Sequence, residues 1–141
     1  MDPAFSRPSA RFVAWGRVGI GVSAIVAPAL MARPWIGAEA GAPGSRLLAR
    51  AMGGRDLALG FGALRALTIS DAEARPWVAL GGMADAVDAL ATVLTFGSLP
   101  RRTRWGILAV TVGAAVVSTR LATSLDSAAV ATPDTGGAAP N

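Results

Sequence analysis

Six ionisable side chains stand several residues inside apolar runs: Arg17, Arg55 and Arg120, and Asp56, Asp85 and Asp88. Carboxylates and guanidiniums in such surroundings do one of three things. They pair with each other, they hold water, or they carry a ligand or proton, because an ionised group at bilayer depth costs several kcal/mol if left alone. The set is balanced by sign, which points to a buried network. Asp85 and Asp88 lie one helical turn apart. Two carboxylates so close repel, so an acid–base pair is one reading. Ion pairing to a nearby arginine is the plainer one.

The rest of the repertoire is narrow. The chain has no Cys and no His, and Lys and Tyr are missing as well. Disulfides, thiol redox steps, haem ligation through His or Cys, and the usual zinc sites are excluded. So are Ser–His and Cys–His nucleophiles, Schiff bases and phenolic acids. No metal site and no cofactor is expected. The isoelectric point of about 11.5 comes from thirteen basic residues that are all Arg. Several sit within apolar segments, without a basic patch interleaved with aromatics, so no nucleic-acid partner is expected. Gly53-Gly54-Arg55-Asp56 lacks the Lys, the Ser/Thr and the preceding strand of a phosphate loop.

The elements that must position these charges are apolar helices. Over 141 residues, 52% are hydrophobic, 16% are charged and the mean hydropathy is +0.49. Four stretches approach the roughly 20 residues that cross a hydrocarbon core. The pattern predicts an all-α fold, a four-helix transmembrane bundle with spans at about 11–31, 46–69, 77–97 and 105–125. Residues 1–10 read as a disordered lead, 126–141 as a disordered tail, and 32–45 as a Pro/Gly-rich loop. A cleaved signal peptide is the competing reading of the first span; Arg17 in its middle argues against it. The second span is the least apolar, with Arg46, Arg50, Arg55, Asp56 and Arg65, but its glycines suit close helix contact in a membrane. Arg33-Pro34-Trp35, Arg75-Pro76-Trp77 and Arg104-Trp105 read as interfacial anchors.

Helical spacing groups the polar and small residues. Gly81, Asp85, Asp88, Thr92 and Thr95 share one face, as do Gly53, Asp56 and Gly60 on the second span. Arg17, Gly21, Ala24 and Pro28 do so on the first span. On the fourth, the stripe is Gly106, Gly113, Val117, Arg120 and Ser124. The charges reach overlapping depths, which places Arg17 and Arg120 near Asp85, and Arg55 near Asp88 or Asp56. Asp88, nearest the middle of its span, is then the carboxylate left without a dedicated arginine.

The run Gly54-Arg55-Asp56-Leu57-Ala58-Leu59-Gly60, preceded by Arg46 and Arg50, resembles a family of small four-span membrane proteins of high-GC bacteria that is DoxX-like in outline. The likeness extends to Pro28-Ala29-Leu30 and to Asp85 and Asp88, and covers about residues 11–125. It implies a four-helix membrane fold and no substrate.

Two functional readings remain open at this point. In one, the chain is a non-enzymatic membrane module, a partner subunit or a small proton or solute carrier built round the Arg/Asp network. In the other, it is a membrane-embedded isomerase or cyclase acting on a lipophilic substrate, with Asp85 and Asp88 as its acid–base pair. A closed, fully paired network favours the module; a lipid-accessible cavity beside the aspartates favours the enzyme. The expected surroundings are the cytoplasmic-membrane bilayer, with a membrane protein, a second copy of the chain or a lipophilic small molecule as partner. Positive-inside counting puts Arg33, Arg46, Arg101, Arg102 and Arg104 in the cytoplasm and both termini outside.

Overall fold

The computed structural model describes residues 3–130, and every regular element among them is helical. Helix α1 spans Pro3–Val26, α2 spans Pro28–Ile36, and a short 3-10 segment follows at Gly37–Gly41. Helices α3 (Pro43–Ala66), α4 (Asp71–Leu94) and α5 (Arg104–Val130) complete the chain. Helix α1 packs chiefly on α3, and α4 chiefly on α5. Smaller α3–α4 and α1–α5 contacts join the two pairs.

Two helices, Asp71–Leu94 and Arg104–Leu125, are long and apolar enough to cross a membrane, and a bent pair raises the number to three. That pair is Ser6–Val26 with Pro28–Gly41, which meet at 101°. The predicted first span through residue 31 is therefore broken. Ala27 leaves the helical region (φ −125°, ψ 58°) and Pro28 opens α2 as its first residue. Proline lacks the N–H that would continue the ladder and disfavours a helical residue before it. The predicted loop at 32–45 is largely helical for the same reason: Pro28 starts a helix instead of ending one. It stops at Gly37, whose φ of +62° only glycine adopts without strain, and where a Cβ would meet Pro100 Cγ at 3.5 Å.

Residues 3–10, read from the sequence as a lead, continue α1 in the structure. Ser6 and Ala10 are buried, and Arg7 reaches the α3–α4 turn, pairing with Asp71 at 2.9 Å and donating to the Leu67 carbonyl at 2.6 Å. At the other end α5 runs to Val130, so residues 126–130 of the expected disordered tail are helical; the rest of that tail, and the expectation of a disordered Met1–Asp2, lie outside the described residues.

The interior is rich in alanine, with three leucines and one valine as its larger members. Ala10, Ala14, Ala63, Ala66, Leu67, Ala74, Val78, Leu121, Ala122 and Leu125 form the core cluster where the α3–α4 turn meets the start of α1 and the end of α5. Large apolar side chains point outward instead, among them Phe12, Leu47, Leu48, Phe61, Met83, Leu94 and Trp105. Small-inside, large-outside is the inverse of a water-soluble core and suits a lipid surround. Helices α1 and α3 touch backbone to backbone: a Cβ on Gly53 would lie 2.8 Å from the Gly21 carbonyl oxygen, and one on Gly60 2.8 Å from that of Ala14.

Candidate functional site: an ion-pair network beneath a lateral cavity

Three facing helices, α1, α3 and α4, bring five of the six predicted charges together. On α3 the inward face repeats at four- and three-residue intervals, Ala49, Gly53, Asp56, Gly60, Ala63, which carries the Asp56 carboxylate into the interior. On α4 the predicted stripe holds for Gly81, Asp85, Asp88 and Thr92, whereas Thr95 is exposed. Arg17 crosses from α1 between them. Its Nη1 donates to Asp56 Oδ1 at 3.2 Å and its Nη2 to Asp85 Oδ2. Gly81 makes room for this guanidinium, since a Cβ there would stand 2.9 Å from Arg17 Nε. Arg55 forks onto Asp88, Nη1 to Oδ1 at 3.0 Å and Nη2 to Oδ2 at 2.8 Å, and its Nη2 also reaches Asp56 Oδ1 at 3.4 Å.

The chain of contacts thus runs Asp85–Arg17–Asp56–Arg55–Asp88. Bidentate guanidinium–carboxylate forks are among the stronger charged hydrogen bonds, and they fix geometry as well as charge. At about 1.5 Å per residue, Arg17, Asp56 and Asp85 lie about 13–15 Å from the nearer end of their helices, α1 counted to Val26.

Two expectations are corrected here, and one partner is added. Arg120 is exposed and makes no ion pair among the described residues. The reason is the rotation of α5: of the predicted stripe only Ser124 is buried, and the other buried positions, Ile107, Thr111, Ser118, Leu121, Ala122 and Leu125, centre on a face about one residue, or 100°, away. Gly106, Gly113 and Val117 are exposed with Arg120. Asp88 does have a dedicated arginine, because Arg55 occupies both its oxygens. The shared carboxylate is Asp56. Finally, Asp85 gains a partner that sequence reasoning missed: buried Ser118 donates to its Oδ2 at 3.3 Å. The seven-residue interval from Thr111 to Ser118, two hydroxyls on one face, was the available signal.

Beside the network lies a cavity of about 260 Å³ between α1 and α5. Val13, Gly16 and Ile20 form one wall and Gly113, Ala114 and Val117 the other, with Arg17, Asp56, Asp85 and Ser118 at its polar floor. Gly16 and Gly113 face open space, for a Cβ on either would meet nothing within 4 Å. Every polar lining group belongs to the one connected set.

Of the tryptophans read from the sequence as anchors, Trp77 packs over Gly62 of α3, and Trp105 meets Phe96 edge-on at 4.7 Å while Arg104 lies over the same ring. Among the described residues no group of three or more acidic, His or Cys side chains is placed to hold a metal ion.

Against known proteins, the chain matches no protein-family model, no curated protein and no solved structure.

Proposed function

We propose that the chain is a four-helix membrane bundle that binds a small lipophilic solute in the lateral cavity between α1 and α5, as a binding module or carrier. In this reading α1, α3, α4 and α5 are the spans. Helix α3 is the one whose composition argues least for a span. Its support is structural: Arg55 and Asp56 are ion-paired, the Arg50 Nε donates to the Ile25 carbonyl at 3.2 Å, and Leu47, Leu48, Met52 and Phe61 line its outer face. Paired charges and snorkelling arginines lower the cost of insertion. The same architecture is the one implied by the resemblance at residues 54–60.

The observation that carries the reading is the coincidence of the cavity with the network. Apolar walls over a small, convergent polar floor are the usual make-up of a small-molecule site. Helices that needed charge only as glue would close over it. The enzyme reading has one observation in its favour, since the cavity brings carboxylates beside a lipophilic molecule. It ranks second because no polar group stands opposite the floor to exchange a proton in concert with it.

The chain's lack of cysteine gives a direct test. Single-cysteine variants Gly16→Cys and, as a buried control, Ala63→Cys are reconstituted in liposomes and treated with a lipophilic maleimide or a charged, membrane-impermeant one. Labelling of Gly16→Cys by the lipophilic reagent alone, with Ala63→Cys unreactive, is the expected result. Reaction with the impermeant reagent, or release of wild type from membranes by alkaline carbonate without detergent, refutes it.

A further inference from the structure

The charge balance of the site indicates which ligand it takes. Helix α1 contributes Arg17, α3 contributes Arg55 and Asp56, and α4 contributes Asp85 and Asp88. Helix α5 adds only the Ser118 hydroxyl. With Arg120 turned outward, two guanidiniums face three carboxylates, and the network is one positive charge short. In a low-dielectric surround that deficit attracts a cation far more strongly than it would in water.

The unused acceptors lie at the right place. Asp88 is saturated by the Arg55 fork and does not line the cavity. Asp56 makes its contacts through Oδ1, and Asp85 through Oδ2. Among the described residues neither second oxygen receives a hydrogen bond, and both residues line the cavity floor. A divalent ion would overshoot the deficit by one charge. The walls, Val13, Ile20, Ala114 and Val117, are apolar and call for an apolar body attached to the cation.

Resting on the binding reading above, we infer that the cavity takes a monovalent organic cation with an apolar body, its charged end set against Asp56 and Asp85. Size narrows the class further. An apolar cavity of about 150 Å³ holds one benzene molecule. The volume of about 260 Å³ therefore suits a ligand of about ten heavy atoms. Benzyltrimethylammonium is a probe of that size whose charge does not depend on pH, and neopentylbenzene is its neutral carbon isostere.

The test is calorimetric titration of the full chain in lipid nanodiscs, with empty nanodiscs as blank, using benzyltrimethylammonium, neopentylbenzene and benzenesulfonate. Saturable binding of the cation, with the neutral isostere weaker by at least about tenfold, is expected from one close opposite charge. Asp56→Asn should weaken the cation by a similar factor. Because that variant also disturbs packing, Gly113→Leu serves as a second one: it fills the cavity from an open position and should abolish binding. Isostere binding as tight as the cation, lost in Gly113→Leu, overturns the cation assignment and leaves the cavity reading standing. Tighter binding of the sulfonate overturns it too and transfers the site to Arg17. No saturable binding of any probe overturns both.

Discussion

Replacing Arg17 by Met keeps an unbranched apolar stem and removes the guanidinium that bridges Asp56 of α3 and Asp85 of α4. The Arg17 side chain is 11% exposed, and those of Asp56 and Asp85 are 12% exposed. After the change Asp85 keeps only the Ser118 hydroxyl at 3.3 Å, and Asp56 keeps only the long contact to Arg55 at 3.4 Å. Removing one partner of a buried pair costs about 3–5 kcal/mol, because the other charge stays buried. The two pairs share a cation and are not additive, so the whole loss is expected within that range. Most of it is the isolated charge of Asp85, and Arg17→Met/Asp85→Asn should therefore recover about 1–3 kcal/mol relative to the sum of the single changes. Reversible unfolding in mixed micelles, with denaturing detergent as the titrant, measures each corner of the cycle. A loss below about 1 kcal/mol in Arg17→Met, or strict additivity in the double variant, would refute the network as drawn, since either result means the carboxylates do not depend on Arg17.

Gly81→Ala should cost about 1–3 kcal/mol by pressing on the pinned guanidinium, and the cost should largely vanish in the Arg17→Met background; the same unfolding assay reads both. Gly53→Ala puts a Cβ 2.8 Å from a backbone oxygen and should cost at least as much, whereas Gly54→Ala, which faces open space, should be neutral or stabilise by up to about 1 kcal/mol through helix propensity. A reversed order would place α1 against the wrong face of α3. Arg120→Met should change stability by no more than about 0.5 kcal/mol, a surface value; a loss comparable to that of Arg17→Met would return Arg120 to the network.

Much of this protein is written in local sequence. Helical period alone puts Gly81, Asp85, Asp88 and Thr92 on one face of α4, and Gly53, Asp56 and Gly60 on one face of α3, because a three- or four-residue step returns to the same side of a helix. The residue inventory excludes most catalytic and metal chemistry without reference to any fold. The charges announce a network because ions in apolar sequence need partners.

Period does not say which of two acceptable faces turns inward, and α5 is the case in point. Gly106, Gly113 and Val117 make one small, apolar face, and Ile107, Thr111 and Ser118 make another only one residue away. Packing against Gly82, where a Cβ would lie 3.1 Å from Ser118 Cβ, selects the second. That rotation turns Arg120 out and brings Ser118 to Asp85. It also sets the exposed Gly113 beside Gly16 at the cavity mouth. Partner choice within the network is likewise tertiary. Asp56 and Asp88 are equivalent in sequence, but only the depth and azimuth of Arg55 decide that Asp88 takes the fork and Asp56 is shared. Sequence therefore determined the kinds of charge and their faces; tertiary packing decided their pairing, since guanidinium contacts hold over a few ångströms and a 100° turn of one helix moves a side chain farther than that.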